Sequence, residues 1–329
     1  MRYTHNPRLQ TIKDGWMGTP VDDNNLFVNV EFPYTPGMAA VLKWQLSRNP
    51  QKKEKEQDRF RLQHSSDLQF LHSGEDCIVW LGHASFFIRL SGVSLLIDPV
   101  FYNQPFVKRV AEHAFGTSVF RNLDYLLLSH DHRDHCQERS IREIVAGNPG
   151  IRILTGLNME ELLRPWCGEA PVQCAGWYQQ YETGPGFNVV YMPTRHWGRR
   201  GLFDTNKRLW GGFILQSANK TIYFGGDTGY GSHLKEAGTL FPAIDVAILG
   251  VGAYKPEWFM HPSHISPLDA IRAFHELKAR VFIPMHYGTF DLSDEPVGEP
   301  YRILKAEEAA GRIHGTLVTP ALGESYVVR

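Results

Sequence analysis

The chain has 329 residues, of which 43% are hydrophobic and 21% are charged, with a formal net charge of −1. This balance gives no general electrostatic reason to bind nucleic acid or an acidic membrane surface. No run of about 18 apolar residues occurs, which excludes a spanning helix, and the first residues lack the apolar core of a signal peptide. The four cysteines form no CxxC pair, so we expect reduced thiols in a cytoplasmic protein.

Residues 1–76 are the least informative part of the chain. Met38–Leu46 has apolar residues at helical spacing, and a mixed-charge block follows it. Two interpretations remain open for this block, a solvated helix or loop and a lid or partner-binding arm over an active site. We therefore predict that 1–76 is an N-terminal extension that packs on the core or forms a lid.

From Cys77 onward, short apolar runs alternate with turns and helical segments. Three runs within 77–98 predict a meander of adjacent strands, and LDYLLL at 123–128 predicts a fourth. Two later runs flank Asn219-Lys220 and predict a hairpin, and the helix predicted over 267–277 has a Ser N-cap and Pro at its first position. The pattern favours an α/β fold in which two mixed sheets pack together with helices outside.

The densest polar cluster follows the fourth strand, in LLLSHDHRDH at 126–135. His130 and His132 are two residues apart and point the same way on an extended backbone. Asp134 and His135 lie on the following turn and can face elsewhere. Such a loop can offer two imidazoles to one metal ion and a carboxylate with a histidine to a second. This many titratable groups in six residues serves no structural purpose without an ion to neutralise them.

Four later positions follow strands or precede a helix and carry the same residue types: His196, Asp227, His264 and His286. Each alone is more often structural, but the repetition at successive strand ends favours a shared site. Two ions need about seven donors, with positions left for water or substrate. The seven predicted metal ligands are His130, His132, Asp134, His135, His196, Asp227 and His286. Asp227 is the natural bridge, because one carboxylate can bind two ions.

The motif HDHRDH resembles the His-x-His-x-Asp-His signature of the metallo-β-lactamase fold superfamily. Within it, the chain is similar to the branch that contains N-acylphosphatidylethanolamine-hydrolysing phospholipase D and ascorbate-6-phosphate lactonase-like proteins. The motifs that carry this resemblance are WLGHASF (80–86), LIDP (96–99), PTRHW (193–197), FGGDTGY (224–230), GAYKPEWFM (252–260), SHISPLDA (263–270) and MHYGTF (285–290). The last three favour the phospholipase D-like group. The resemblance implies a four-layer αββα sandwich of two mixed β-sheets with outer helices, forming a hydrolase domain over 77–329.

The same resemblance implies a role for each residue of the cluster. The implied ligands are His130, His132 and His196 for the first ion, Asp134, His135 and His286 for the second, and Asp227 as the bridge. His264 falls where the phospholipase D-like enzymes place a histidine near the substrate phosphate, and Asp134 and His264 are expected to be catalytic. Asp98 and His83 are expected to orient ligands. Zinc is the expected metal at both positions, with iron or manganese as alternatives, because these ligands serve all three.

The predicted activity is hydrolysis of a phosphodiester, including a lipid-like substrate of phospholipase D type, by a metal-bridging hydroxide. A lactonase or carboxylic-ester hydrolase with the same dimetal site is the alternative. A diiron protein handling oxygen or nitric oxide is disfavoured, since no flavodoxin-like module is present. The expected partner is a small-molecule or lipid phosphodiester and not nucleic acid, and peripheral membrane contact and a homo-oligomer remain open.

Several residues near these motifs have two interpretations. Arg199 and Arg200 either contact a phosphate or lie on a solvated surface. Four aromatic residues either form an apolar wall for an acyl chain or pack in the core, namely Trp197, Tyr254, Trp258 and Phe259.

Overall fold

The computed structural model describes residues 1–105 and 107–329. The strands of these residues are β1 (Arg2–Thr4), β2 (Gln10–Thr11), β3 (Thr19–Val21), β4 (Cys77–Gly82), β5 (Ser85–Leu90), β6 (Val93–Ile97), β7 (Lys108–Arg109), β8 (Tyr125–Leu128), β9 (Arg152–Gly156), β10 (Val172–Ala175), β11 (Gln179–Gln180), β12 (Phe187–Met192), β13 (Gly212–Ser217), β14 (Thr221–Phe224), β15 (Val246–Gly250), β16 (Val281–Met285), β17 (Phe290–Asp291), β18 (Thr316–Leu317) and β19 (Ser325–Val327). The α-helices are α1 (Met38–Leu46), α2 (Lys52–Gln57), α3 (Glu138–Gly147), α4 (Glu160–Cys167), α5 (Ser232–Leu240), α6 (Glu257–Met260), α7 (Pro267–Leu277) and α8 (Glu299–Ala309).

Two large mixed sheets organise the described residues. The first has seven strands in the order β10-β9-β8-β6-β5-β4-β19, and the second has eight in the order β18-β16-β15-β14-β13-β12-β11-β2. In the first sheet, β4, β5 and β6 are antiparallel neighbours, whereas β6, β8, β9 and β10 run parallel. The predicted meander, the hairpin of β13 and β14 and the two mixed sheets are therefore confirmed.

The alternation of side chains along each strand divides the core into layers. In β4, Ile78 and Trp80 face the hydrophobic cluster that also contains Phe213 of the second sheet, whereas Val79 faces a cluster built with α3 and α4. On the outside of the second sheet, Phe274 of α7 stacks on a phenylalanine of β16 with ring centroids 5.5 Å apart. Helices thus cover both outer faces of a two-sheet sandwich.

The ends of the chain add edges to these sheets. β2 pairs with β11 at the edge of the second sheet, and β19 pairs antiparallel with β4 at the edge of the first. Neither α1 nor α2 contains a buried residue. None of the helices in the part of the chain that the structure describes has the length and apolar character needed to span a bilayer.

Parallel strands place the candidate functional residues together. The carboxyl ends of parallel neighbours meet at one edge of a sheet, where loops are free to carry chemistry. His130 follows β8, whose neighbours β6 and β9 are parallel to it. Asp227 and His286 follow β14 and β16, on either side of the parallel strand β15. The fold therefore brings these loops to one edge of the sandwich.

Candidate metal centre

All seven predicted ligands converge in two groups of four side chains, and Asp227 and His286 form a third group with His264. The donor atoms in each group lie within 4.8 Å of one another. The first group consists of His130, His132, His196 and Asp227, and the second consists of His83, Asp134, His135 and His286. This division matches the pairing of ligands that the family resemblance implies, with His83 added to the second group.

Three imidazole nitrogens face one another in the first group. Nδ1 of His132 lies 2.9 Å from Nε2 of His130 and 3.1 Å from Nε2 of His196. Nδ1 of His196 lies 3.0 Å from the carbonyl oxygen of Ser263. Because a carbonyl only accepts, Nδ1 of His196 carries the proton and Nε2 presents a lone pair. Such a lone pair, pointing at other imidazole nitrogens, suits a cation held between them.

Asp98 and Ser129 define the orientation of His130. The Ser129 backbone N–H and hydroxyl both donate to the Asp98 carboxylate, at 2.7 and 2.5 Å. The hydroxyl oxygen lies 2.9 Å from Nδ1 of His130. Since its own proton goes to Asp98, it accepts from Nδ1–H of His130, which leaves Nε2 free to bind a metal.

The second group presents nitrogen atoms with no hydrogen-bond partner. Nδ1–H of His135 donates to Asp98 across 2.8 Å, so Nε2 of His135 carries the lone pair. In the described residues, Nε2 of His135 and Nε2 of His286 are buried without any hydrogen-bond partner. Each lies 3.2 Å from a different oxygen of Asp227. Buried imidazole nitrogens that converge on a carboxylate fit a divalent cation between them.

Asp227 lies between the two groups. Both of its oxygens face histidines of the second group, and Oδ2 also lies 3.8 Å from Nε2 of His196 in the first. Burial alone would raise the pKa of Asp227, but His135 and His286 outweigh it and hold that pKa well below its usual value. The loop before it depends on Gly226, which has φ +55° and whose Cβ would lie 2.8 Å from the oxygen of Gly211.

The electrostatic field of the site favours positive charge. Burial would lower the pKa of both His135 and His286, but Asp227 and Asp134 raise them, that of His286 to about 9. The two carboxylates therefore stabilise a cation at the position where the unpartnered nitrogen atoms meet. A pair of divalent ions fits this charge and this set of donors.

His83 lies within the second group but is suited to a supporting role. Its Nε2 lies 2.9 Å from Oδ2 of Asp134, and the carboxylate can only accept, so Nε2–H donates. Burial lowers the pKa of His83 to about 3, with the charge of His286 acting in the same direction. Neutral His83 thus holds the oxygen of Asp134 that also faces His286, at 3.7 Å.

The side chains of Asp134 and His264 are partly accessible to a substrate. The side chains of Asp134 and His264 are 22% and 17% exposed, whereas those of Asp227 and His286 are 3% and 1% exposed. Nδ1 of His264 lies 3.7 Å from Oδ2 of Asp227. Burial lowers the pKa of His264 to about 4, which makes it a neutral hydrogen-bond donor at neutral pH.

The surroundings resolve several open alternatives. Trp197 lies edge-on to His132, with ring centroids 4.6 Å apart, and lines an open groove of about 550 Å³. Tyr254 and Phe259 are buried and pack in the core. The guanidinium of Arg200 donates to the carbonyl oxygens of Asp131 and Cys136, so it stabilises the loop that follows β8.

Three residues that shape the site, Ser129, Ser263 and Asp131, have no role predicted from the sequence. Ser129 and Ser263 orient His130 and His196, as described above. Asp131, within the histidine motif, faces away from the donors and pairs with Arg208 at 2.7 Å. The Asp131 carboxylate also accepts the backbone N–H of Arg199 at 2.8 Å, which fixes the loop after His196. Only the position of Ser129 beside His130 was a signal in the sequence.

Comparisons with known proteins found a matching family model and related sequences. A family model described as a beta-lactamase superfamily domain matches residues 94–287. The chain is 31% identical over 227 residues to N-acyl-phosphatidylethanolamine-hydrolyzing phospholipase D 1 of Caenorhabditis elegans, which covers 65% of this chain and 64% of that protein. It is 28% identical over 269 residues to the mitochondrial N-acyl-phosphatidylethanolamine-hydrolyzing phospholipase D of Saccharomyces cerevisiae, with coverages of 77% and 57%.

Among solved structures, the metallo hydrolase Igni18 of Ignicoccus hospitalis has the same fold. It superimposes with a TM-score of 0.60 at 20% identity, covering 77% of this chain and 98% of that chain. The match with the two phospholipases is less complete, because this chain spans 64% and 57% of their lengths.

Proposed function

The chain belongs to the beta-lactamase superfamily and has the fold of its metal-dependent hydrolases, and we propose that it hydrolyses a lipid phosphodiester in the manner of phospholipase D. The observation that carries this proposal is the pair of donor groups that meet at Asp227 beside the accessible His264. The resemblance to two phospholipases D supports the substrate class.

We assign the donor groups to two divalent ions, preferably zinc. Nε2 of His130 and His196 and Nδ1 of His132 would hold the first ion. Nε2 of His135 and His286 would hold the second together with Asp134, and Asp227 would serve both. When bound, such ions lower the pKa of water and polarise a phosphoryl oxygen. Iron and manganese suit the same ligands.

Two residues of the chain would act directly on the substrate. Water attack forms a new phosphorus–oxygen bond as the bond to the leaving alcohol breaks, and charge accumulates on the phosphoryl oxygens. The N–H of His264 would donate to one of these oxygens, and a donor of this kind is typically worth about 2.7–4 kcal/mol of barrier. Asp134, held by His83, would accept a hydrogen bond from the attacking water and orient it.

The groove beside Trp197 gives the lipid part of the substrate a place to lie. Met38 and Val41 of α1 and Leu202 line it, and Trp197 connects it with His132. A groove with apolar and cationic walls beside a charged centre suits a molecule with a phosphodiester headgroup and an acyl chain.

The decisive experiment is turnover of an N-acylated phosphatidylethanolamine by zinc-loaded protein, with products identified by mass spectrometry. We expect phosphatidic acid and an N-acylethanolamine. Turnover of a simple lactone or carboxylic ester without cleavage of the phosphodiester would overturn the proposal. Metal analysis of the same sample should give two ions per chain, and a single ion would contradict the assignment of both groups.

A further inference from the structure

A surface beside the groove exposes large apolar side chains. On α1, Met38 and Leu42 are 63% and 56% exposed and lie four residues apart, so they share one face of the helix. Leu46, one turn further, is also exposed. Across the groove, Leu202 and Phe203 are 73% and 88% exposed at the tip of a loop. Single exposed apolar residues are ordinary, but a cluster of five on one surface indicates an interaction site.

The structure connects these residues with the candidate metal centre. The guanidinium of Arg199 lies 3.4 Å from the sulfur of Met38, which joins α1 to the loop that carries Leu202. Both sides of this contact line the groove that contains Trp197. A partner bound to the exposed apolar residues would therefore lie beside Trp197, which contacts His132 of the candidate metal centre.

The same surface carries positive charge that is not neutralised locally. Among the residues that the structure describes, Lys43, Arg133 and Arg199 form no ion pair. The acid of the loop, Asp204, is paired with Arg208 and accepts the backbone N–H groups of Arg200 and Gly201. Although the whole chain has a net charge of −1, these three cations are free to contact an anionic partner.

Lys43 shows how the helix combines the two properties. Its ammonium nitrogen lies 4.6 Å from the ring centroid of Trp258, whose side chain is 45% exposed. An amphipathic aromatic ring below a lysine is typical of residues at the boundary between lipid headgroups and acyl chains.

We propose that this surface docks onto a bilayer that contains anionic phospholipids. We call it the entrance face and define it by the apolar residues Met38, Leu42, Leu46, Leu202 and Phe203 and the cations Lys43, Arg133 and Arg199. The apolar side chains insert among the acyl chains, and the cations contact the headgroup phosphates. This proposal rests on the proposed function in one respect. Docking benefits the protein because it would present a membrane lipid to the groove.

Charge favours a lipid surface over a second copy of the chain as the occupant. In a two-fold dimer, the same patch lies on both sides of the interface. Two entrance faces would therefore bring the three unpaired cations of each copy together, with like charges opposed. An anionic bilayer complements them instead.

Cosedimentation with vesicles tests the proposal without any substrate. The probes are vesicles of phosphatidylcholine alone and of phosphatidylcholine with phosphatidylglycerol. We expect binding to the anionic vesicles that weakens as salt is raised. Replacing Leu42 and Phe203 together by serine should reduce the partition coefficient at least tenfold. Arg199→Gln and Lys43→Gln should each reduce it by about fivefold, the usual effect of one cation near an anionic surface.

Matched variants distinguish the contribution of the entrance face from unspecific effects of a substitution on vesicle binding. Met17 is 65% exposed but lies outside the entrance face, so Met17→Ser should bind vesicles like the unchanged protein. Lys278→Gln removes an exposed charge from the end of α7 and should also have no effect. Equal binding of the Leu42→Ser, Phe203→Ser variant and its parent, or no binding of the parent, would overturn the proposal.

Two further measurements make each outcome interpretable. Sedimentation equilibrium reports the oligomeric state, and a dimer that this double variant disrupts would assign the entrance face to a second copy. Turnover of bis(p-nitrophenyl) phosphate, a soluble phosphodiester, should be unchanged by the double substitution, which also shows that the variant is folded. Vesicle binding without any phosphodiesterase activity would reject the proposed function and leave the entrance face standing.

Discussion

Nδ1 of His135 donates to Oδ2 of Asp98 across 2.8 Å, and both side chains are completely buried. The contact leaves the lone pair on Nε2 of His135, which faces Asp227. Asp98 also accepts from Ser129, the partner of His130. One carboxylate thus orients a histidine of each donor group, which joins the two candidate metal positions in one hydrogen-bonded unit.

Replacing Asp98 by asparagine should therefore weaken metal binding without removing a ligand. Loss of an orienting partner typically costs about 10–100-fold in metal affinity, and both ions should be affected because Asp98 supports both groups. Competition with a chromogenic chelator measures this affinity. Asp245→Asn is the matched control, since Asp245 is also buried and accepts the backbone N–H of Thr221 far from the site. An affinity equal to that of the unchanged protein would contradict the role of Asp98.

His264→Gln should reduce kcat for a phosphodiester by about 10²–10³-fold, the usual cost of a lost charge-stabilising donor. The metal content should remain unchanged, because His264 is not among the assigned ligands. Steady-state kinetics with metal analysis of the same preparation checks both points. His275→Gln is a suitable control, since this partly exposed histidine stacks on His314 at the end of α7. An unchanged kcat would show that His264 does not act on the substrate.

Asp227→Ala should abolish turnover of every substrate and lower the metal content. The substitution removes the carboxylate that faces His135 through one oxygen and His286 through the other. Without that charge, the surrounding imidazoles also lose the partner that favours a cation between them. Metal analysis after dialysis against buffer with trace zinc measures the loss. Two tightly held ions in the variant would show that Asp227 is not shared.

Much of the fold and of the site could be predicted because the relevant signals are local. The apolar runs of β4, β5 and β6 are separated by short turns, so their pairing follows from sequence alone. The HDHRDH motif places four donors within six residues, and His196, Asp227 and His286 each follow an apolar strand. Parallel strands carry the loops of His130, Asp227 and His286, whereas β12, which precedes His196, has antiparallel neighbours.

Long-range partners account for what the sequence did not reveal. Asp131 and Arg208 are 77 positions apart, and no local pattern links them. The edge strand β2 has two residues, too short for a periodic signal. Whether Arg200 would contact a phosphate depended on carbonyl acceptors near Asp131, which only the folded loops bring within reach. Likewise, the sequence left two interpretations open for the charged block after α1, because its neighbours in the fold were not known.

Arg208→Leu should destabilise the protein, because it leaves the fully buried Asp131 carboxylate without its ion-pair partner. Leaving such a charge unpaired costs about 3–5 kcal/mol, and the remaining backbone donor from Arg199 places the expected value near the lower end. Urea unfolding measures the change. The double variant with Asp131→Asn should recover part of the lost free energy, since no buried charge remains. Equal destabilisation in both variants would contradict the pairing.

Glu295 should make stability depend on pH in the direction opposite to that of Glu299. Burial raises the pKa of Glu295 above 4.5 even though the backbone N–H groups of Ala253 and Lys255 donate to it at 2.6 and 3.1 Å. For Glu299, burial acts in the same sense, but Lys255 and Tyr254 outweigh it and lower the pKa. The folded protein therefore retains the Glu295 proton to a higher pH than the unfolded chain, and releases the Glu299 proton at a lower pH.

This difference fixes the sign of both effects through proton linkage. As pH rises above 4.5, ionisation of Glu295 is easier in the unfolded chain, so its contribution to the free energy of unfolding falls until pH exceeds the raised pKa. Glu295→Gln should remove this decline. The free energy of unfolding of the variant, relative to that of the unchanged protein, should therefore increase with pH. Glu299→Gln should instead show a growing deficit as pH rises toward 4.5. Urea unfolding of both variants on both sides of pH 4.5 measures the slopes, and a change in the same direction for both variants would show that the pKa of Glu295 is not raised.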